Sequence, residues 1–127
     1  MMELTIKEKV YQFNFNMGFL REVNKKYQKP IDGVPNAKEN VGLQMIIAGV
    51  NAGDCEFLAE VLHAANIGMT PRATMKEIEQ YIDECEDIDK LFDDVIEGLK
   101  SANATKKITL KMLAEIAEAE ARQKANA

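Results

Sequence analysis

The sequence has few of the residues that carry enzyme chemistry. Its 127 residues include one histidine, His63, and two cysteines, Cys55 and Cys85. Cys55 and His63 are eight positions apart, which is about two helical turns or ~12 Å along a helix axis, too far for both to bind one ion. A hydrolase or transferase needs a nucleophile beside a base, paired carboxylates in a pocket, or a metal cage. We therefore expect no catalytic residue, no metal site and no cofactor, and we do not expect an enzyme.

Motifs for phosphate binding and for membranes are also absent from the sequence. Gly49 and Gly53 lie among apolar and amide residues, and no Gly-Lys-Ser/Thr ending follows them. The longest nearly uncharged apolar stretch, residues 41–52, is much shorter than the ~20 residues of a membrane span. The start of the chain carries Glu3 and has no signal-peptide layout. We expect a cytosolic protein that contacts no membrane, with both thiols reduced and buried.

Charge is segregated along the chain, and the middle is acidic. Residues 1–38 hold seven Lys/Arg and four Asp/Glu, residues 39–100 hold four and fourteen, and residues 101–127 hold five and three. An acidic surface repels nucleic acid phosphates, so we expect no nucleic acid partner. It attracts a basic partner, or the basic end of another copy in a head-to-tail self-association. The alternative is a solvated face that only aids solubility.

Residues 2–15 alternate between apolar and polar side chains, as the strands of a β-hairpin do. A two-residue loop at Lys7 and Glu8 would place Leu4 opposite Tyr11. One face of the hairpin would then carry Met2, Leu4, Ile6, Tyr11, Phe13 and Phe15. A lone two-stranded hairpin is marginal in water, so this face needs the helices behind it or the surface of another protein.

Apolar spacings of three and four dominate the rest of the chain and predict about six helices. Asn16 is placed to cap the first, with a hydrophobic staple between Phe15 and Leu20. Helices are expected at residues 17–27, 41–52, 55–67, 75–85, 88–103 and 105–116. The second of these is apolar nearly all round, which predicts burial on several sides. Residues 28–40, with two prolines and an Asp-Gly pair, are expected to form a loop.

These elements define the expected fold class, which is α+β and mainly α. The domain is expected to be single and to cover residues 1–127, with a hairpin over 1–16 and a helical body over 17–116. Residues 117–127 are polar and alanine-rich. They favour a helix by propensity but have no large apolar side chain, so this end is expected to fray or to extend into solvent.

An acidic run joins the fourth and fifth predicted helices. Its members are Asp83, Glu84, Glu86, Asp87 and Asp89. Counted from Asp87 as a calcium loop, the turn position is Phe92 instead of glycine and the twelfth position is Gly98 instead of glutamate. The run is then either a solvated junction, whose acids favour the N-terminus of the next helix, or a surface that attracts a lysine-rich client or another copy.

Three segments of the chain resemble one protein family. They are ELTIKEKVYQFNFNMGFLRE (residues 3–22), DGVP (residues 32–35) and LKSANATKK (residues 99–107). Together they resemble the tail assembly chaperones of long, flexible-tailed phages and prophages of Gram-positive bacteria. Relatives carry glycine where Glu8 stands, and a primed turn favours positive φ there. Glu8 therefore predicts a wider or bulged turn.

The resemblance implies a small, mainly helical, non-catalytic protein of the host bacterial cytoplasm that is absent from the mature virion. Such a chaperone binds the tape measure protein, keeps it soluble and promotes tail tube polymerisation around it. The family also implies a frameshift-extended form that contacts the tail tube protein, which would fit residues 117–127. The alternatives are a structural head-tail completion protein and a small regulatory or nucleic-acid-binding module.

Three groups of side chains are candidates for partner binding, because a releasable chaperone needs adaptable apolar contacts and charges that set register. The first is the hairpin face with Tyr11, Phe13 and Phe15, for which the alternative is burial against the helices. The second is Met69 with Met75, for which the alternative is core filling. The third is the acidic run Asp83, Glu84, Glu86, Asp87 and Asp89.

Overall fold

The computed structural model describes residues 2–126. Over that range the chain forms six α-helices and two antiparallel strand pairs, which confirms the α+β, mainly α fold class. The elements, in chain order, are β1 (Met2–Ile6), β2 (Lys9–Phe13), α1 (Met17–Lys26), β3 (Gln28–Pro30), β4 (Lys38–Asn40), α2 (Gly42–Asn51), α3 (Cys55–Ala65), α4 (Met75–Glu84), α5 (Ile88–Ser101) and α6 (Lys106–Ala125).

The N-terminal hairpin, β1 with β2, has the predicted register. Ile6 pairs with Lys9 across a two-residue turn, and the pairing continues in that register along both strands. Lys7 and Glu8 both have positive φ, 50° and 70°, as a type I′ turn requires. The expectation of a wider or bulged turn at Glu8 is therefore wrong. A one-residue slip would turn the apolar face away from the helices, so packing holds the tight turn in place.

The apolar face of this hairpin lies in the core. Strand β2 contacts α3, and strand β1 contacts α4. Met2 and Leu4 are half-buried, and the rest of the face is buried with the inward faces of the helices: Ile6, Tyr11, Phe13 and Phe15. The helices of this chain, not another protein, cover the face. One core of buried side chains extends from the hairpin to α5.

Asn66, just after α3, ties the hairpin to the helices. Its side chain is fully buried, and its Nδ2 donates to the carbonyl oxygens of Gln12 (3.0 Å) and Pro71 (3.2 Å). Its Oδ1 accepts from the backbone N–H of Ala73 (2.6 Å) and from Nη1 of Arg72 (2.8 Å). A buried amide is tolerated when its donors and acceptors are paired. This one side chain therefore fixes the end of β2, the end of α3 and the segment before α4.

The start of α1 follows the predicted capping chemistry. Oδ1 of Asn16 accepts from the backbone N–H of Phe19 at 3.0 Å, which satisfies one of the free donors of the first turn. The Phe15 ring packs edge-on against Phe19, with ring centroids 5.1 Å apart. Leu20, the expected staple partner, is half-buried against the same core. These contacts fix the direction in which α1 leaves the hairpin.

Residues 28–40 form a second β-hairpin, so the prediction of a loop is wrong. Strand β3 pairs with β4 in antiparallel register, and Nζ of Lys29 lies 3.1 Å from a carboxylate oxygen of Glu39. Every residue of both strands is exposed. The strands show no apolar alternation because neither face packs on anything, and that is why the sequence pattern did not reveal them.

Helix α2 is buried on the sides that meet α1, α3, α5 and α6, but not all round. Met45 and Ala48 are exposed, which corrects the expectation of burial on nearly every side. Gly42 and Gly49 allow α2 to approach its neighbours closely. A Cβ on Gly42 would collide with the backbone carbonyl of Val23 in α1, and a Cβ on Gly49 would collide with the Phe57 ring of α3.

Helices α3 to α6 begin within one residue of their expected positions, and α6 continues through the alanine-rich end. Thr74 and Glu77 form a capping box at the start of α4. Helix α6 packs against α2 and α5 through its first half and buries Thr109. It continues as helix to Ala125, and residues 117–126 are all exposed. Of the two alternatives for this end, extension into solvent is the observed one within the described residues.

Candidate protein-binding surface

The acidic run forms an exposed corner between α4 and α5. Asp83, Glu84, Glu86, Asp87 and Asp89 are all exposed, and we call this set the acidic corner. Oδ1 of Asp87 accepts from the backbone N–H of Lys90 at 3.0 Å, so Asp87 is the N-cap of α5. Negative charge at a helix N-terminus is stabilised by the helix dipole. Local capping chemistry therefore explains part of the corner, and the other carboxylates remain available to a partner.

The one basic residue beside the acidic corner is Lys90, which is already paired with a carboxylate. Residues 83–94 hold seven carboxylates and one lysine, Lys90. Its Nζ donates to a carboxylate oxygen of Asp94 at 2.7 Å, and this hydrogen bond raises the pKa of Lys90 above its usual value. Within residues 2–126, no lysine or arginine nitrogen lies within 4.0 Å of the Asp89 or Asp93 carboxylates. The surface keeps a strong negative charge.

Two open grooves flank the start of α5, with volumes of about 440 and about 450 Å³. The first, which we call the hairpin-side groove, lies between β1 and the α4–α5 corner. Its apolar lining includes Leu4, Tyr81 and Leu91, and its rim carries acidic side chains of the corner. Burial raises the pKa of the Tyr81 hydroxyl. Cys85 lies in this groove and is half-buried.

The second groove, which we call the α5 groove, lies between α5 and the turn that joins α2 to α3. Half-buried Ile88, Phe92 and Ile96 line it from one side, and Asp89 and Asp93 lie along its edge. The turn lines the opposite side with Val50, Asn51, Gly53 and Cys55. The groove combines an apolar floor with a negatively charged edge, an arrangement typical of surfaces that contact another polypeptide.

The three aromatic candidates of the hairpin are part of the core. Their exposed fractions are 3% for Tyr11, 0% for Phe13 and 3% for Phe15. The Tyr11 hydroxyl donates to Oε2 of Glu77 at 3.2 Å, and burial is the main cause of the raised pKa of Tyr11. Hydrogen bonds from the Thr74 backbone and hydroxyl lower the pKa of Glu77. A partner cannot reach these rings while the hairpin is packed.

The methionine candidates lie apart from the acidic corner. Met75 is the first residue of α4, half-buried against the core, and Met69 is half-buried in the segment between α3 and α4. Neither residue lines either groove at the corner. Of the acidic candidates, Glu84, Glu86 and Asp87 line the hairpin-side groove, Asp89 lines the α5 groove, and Asp83 lines neither.

The apolar spacing predicted a helix over residues 88–103 but did not reveal that its stripe of Ile88, Phe92 and Ile96 is only half-buried. The signal was present: Asp89 and Asp93 follow Ile88 and Phe92 directly and repeat at the same spacing of four. Carboxylates this close to a helical stripe indicate that its edge meets water. The pattern alone does not reveal that the α2–α3 turn stands opposite and converts the stripe into a groove.

The single histidine and the two cysteines lie in three different parts of the fold. The sole histidine, His63, has its Nε2 3.3 Å from Nη2 of Arg72. Because arginine only donates, Nε2 accepts and the ring is neutral. Burial, and then the Arg72 charge, lower the pKa of His63. Both cysteines are free, but Cys55 is exposed and Cys85 is only half-buried, so the prediction of two buried thiols is wrong.

Two kinds of site are absent from residues 2–126. Within this range no group of three or more His, Cys, Asp or Glu side chains is placed to hold a metal ion. None of the helices described is both long enough and apolar enough to span a bilayer.

The fold and these grooves define a small helical protein with surfaces suited to another polypeptide. Residues 3–113 match the family described as phage tail assembly chaperone protein, TAC. The chain belongs to this family, which confirms the resemblance at the level of a phage tail assembly chaperone. Comparisons with curated proteins and with solved structures found no match.

Proposed function

We propose that this chain binds the tape measure protein during tail assembly, keeps it soluble and promotes polymerisation of tail tube subunits around it. The observation that carries the proposal is the family match over residues 3–113, which extends from the first hairpin to the middle of α6. In this role the chain acts by contact and has no catalytic residue, cofactor or metal ion.

The grooves at the acidic corner support this proposal physically. A chaperone of this kind must cover apolar stripes on a client and later release them, so it needs contact areas of moderate size. The two grooves are open and their apolar side chains are half-buried. Charge at their edges favours correct register and fast association more than tight binding. Such surfaces suit a transient complex.

We extend the proposal to the setting and form of the protein. The chain acts in the cytoplasm of a Gram-positive host that carries a phage or prophage with a long flexible tail, and it is absent from the mature virion. Residues 1–127 act as a single domain, since one core joins the hairpin to the helices. A frameshift-extended form would contact the tail tube protein, and the exposed helical residues 117–126 leave room for such an extension.

Co-expression tests the proposal directly. The tape measure protein encoded by the same phage or prophage is produced alone, with this chain, and with an unrelated acidic protein of similar size. We expect a larger soluble fraction only with this chain, and co-purification of the two proteins. Equal solubility in all three cultures would contradict the proposal.

The composition of purified virions separates this proposal from its rival, a structural head-tail completion protein. An assembly chaperone is expected in infected-cell lysates and missing from finished particles by mass spectrometry. A structural component would be present in particles in fixed stoichiometry. The acidic surface also predicts no DNA binding at low salt, unlike a nucleic-acid-binding module.

A further inference from the structure

We infer that the α5 groove is the docking site for an amphipathic client helix that carries lysine or arginine beside its apolar stripe. This inference rests on the proposed function, in which the client is the tape measure protein. It adds the place of contact and the chemistry of the segment that is recognised. Three features of the groove support it: the spacing of its floor, the charge of its edge and the smaller free apolar area of the chain's own helices.

The floor of the groove has the dimensions of a helix-binding surface. Ile88, Phe92 and Ile96 repeat every four residues, so they form a stripe of two turns, ~12 Å long. All three are half-buried against the core, and the α2–α3 turn forms the opposite wall with Val50 and Gly53. A helix with apolar side chains at spacings of three and four can lay them against such a stripe.

The edge of the groove selects the charge of that helix. Asp89 and Asp93 are exposed and line the groove one turn apart. Lys90, the nearest basic residue in sequence, is bonded to Asp94, so it does not neutralise them. Lysine or arginine on a client, one position beside its apolar stripe, would meet these carboxylates as the stripe meets the floor. A helix with glutamate in the same positions would be repelled.

A second copy of this chain is the competing occupant, through the first half of α6. Ile108, Met112 and Ile116 repeat at spacings of four there, with lysines beside the first two. Met112, the middle member of this stripe, is already packed against the chain's own core, so the stripe offers less free apolar area than that of an unpartnered helix. The exposed residues 117–126 have alanine as their only apolar type, which supplies little apolar area. We therefore assign the groove to a helix of another protein, and a second copy is the competing outcome of the test.

A double charge reversal with a matched control tests the inference. The variant is Asp89→Lys with Asp93→Lys, and the control is Glu118→Lys with Glu120→Lys, which changes net charge equally at exposed positions of α6. Two model helices of about 18 residues, or five turns, serve as probes. Both carry a leucine stripe, which is flanked by lysine in one peptide and by glutamate in the other. Circular dichroism verifies that both variants fold.

Fluorescence anisotropy at low salt measures peptide binding. We expect the lysine peptide to bind the unaltered chain and the glutamate peptide not to bind. We expect the double reversal to weaken lysine-peptide binding by roughly tenfold or more, because two attractive pairs become repulsive, and the control to change it by less than about threefold. Equal loss in both variants, or binding of both peptides alike, would overturn the inference.

Co-expression with the tape measure protein separates this inference from the proposed function. If the unaltered chain solubilises the tape measure protein and the double reversal does not, both stand. If both solubilise it equally, the groove assignment is wrong and the proposed function survives. If the unaltered chain fails, the proposed function is wrong, and the peptide comparison still decides the groove. A self-association that the double reversal alone abolishes would identify a second copy as the occupant and overturn the inference.

Discussion

The two β-hairpins of this protein have the same topology and opposite surroundings. The strands of the β1–β2 hairpin place three side chains in the core, Ile6, Tyr11 and Phe13, whereas every strand residue of the β3–β4 hairpin is exposed. The first hairpin is held by burial, and the second by its own backbone pairing and surface contacts. A hairpin in a folded protein can thus be either part of the core or a feature of its surface, and mutations distinguish the two cases.

Removal of a buried ring should give the largest difference between the hairpins. Phe13→Ala deletes a side chain with no exposed surface and should lower the free energy of unfolding by about 3–5 kcal/mol, through lost burial and the cavity left behind. Val34→Ala, at the exposed tip of the second hairpin, should change it by less than about 0.5 kcal/mol. Urea denaturation measures both. Similar losses would show that the second hairpin also packs on the body.

Loss of the hydrogen bonds of the Asn66 side chain should have the next largest effect. Asn66→Ala removes four hydrogen bonds and leaves the Gln12 carbonyl and the Ala73 N–H without this partner, at a cost of about 2–3 kcal/mol. Gln28→Ala removes one exposed hydrogen bond to Asn40 in the second hairpin and should cost less than about 0.5 kcal/mol. Amide hydrogen exchange should accelerate in β2 only for Asn66→Ala. Unchanged amide exchange in β2 would contradict the role given to Asn66.

Glycine in the turn of each hairpin should stabilise the first hairpin more than the second. Glu8→Gly relieves a left-handed residue with φ 70° and should raise stability by about 0.5–1 kcal/mol. Asn36→Gly acts on a left-handed residue in the second hairpin, φ 63°, where asparagine already tolerates that conformation, so the gain should be smaller. Thermal unfolding measures both. A loss of stability in Glu8→Gly would show that the Glu8 side chain makes a contact that outweighs the relief.

The smallest expected effect is that of pH on stability, and it should reach the first hairpin before the second. The folded state lowers the pKa of His63 below 6.5, so the unfolded chain binds the proton more readily. Stability is then fully present above pH 6.5 and falls as the pH drops through the pKa of the folded state. Urea midpoints should fall between about pH 7.5 and about pH 5.5, and His63→Gln should reduce the fall. Protonated His63 would repel Arg72, whose Nη1 donates to Oδ1 of Asn66. Because Asn66 also holds the end of β2, β2 should loosen before β3.

The sequence predicted the elements in which a local pattern, such as alternation or a capping residue, marks the side chains that become buried or the point where a helix begins. The first hairpin was found because Tyr11, Phe13 and Phe15 alternate with polar residues, and the start of α1 was found because Asn16 is its cap. The β3–β4 hairpin was missed because no strand residue in it is buried. The exposed side of α2 was missed because composition does not tell which neighbours a helix will lack.

The acidic corner could also be predicted from the sequence, but the groove beside it could not. Asp87 is the N-cap of α5 and Asp89 lies in its first turn, so their exposure follows from local structure. The accessibility of Phe92 depends on how the α2–α3 turn packs beside α5, and a local sequence pattern does not specify such tertiary packing. The buried state of Phe13 likewise depends on α3 and α4 covering the hairpin.

The two free thiols give this protein a pair of natural footprinting probes. Cys55 lines the α5 groove and Cys85 lines the hairpin-side groove. The rate at which each sulfur reacts with a maleimide therefore reports the occupancy of its own groove, without any engineered label. A client seated in the α5 groove would protect Cys55 and leave the slower alkylation of Cys85 unchanged. Peptide mapping of the labelled protein would read both sites in one experiment.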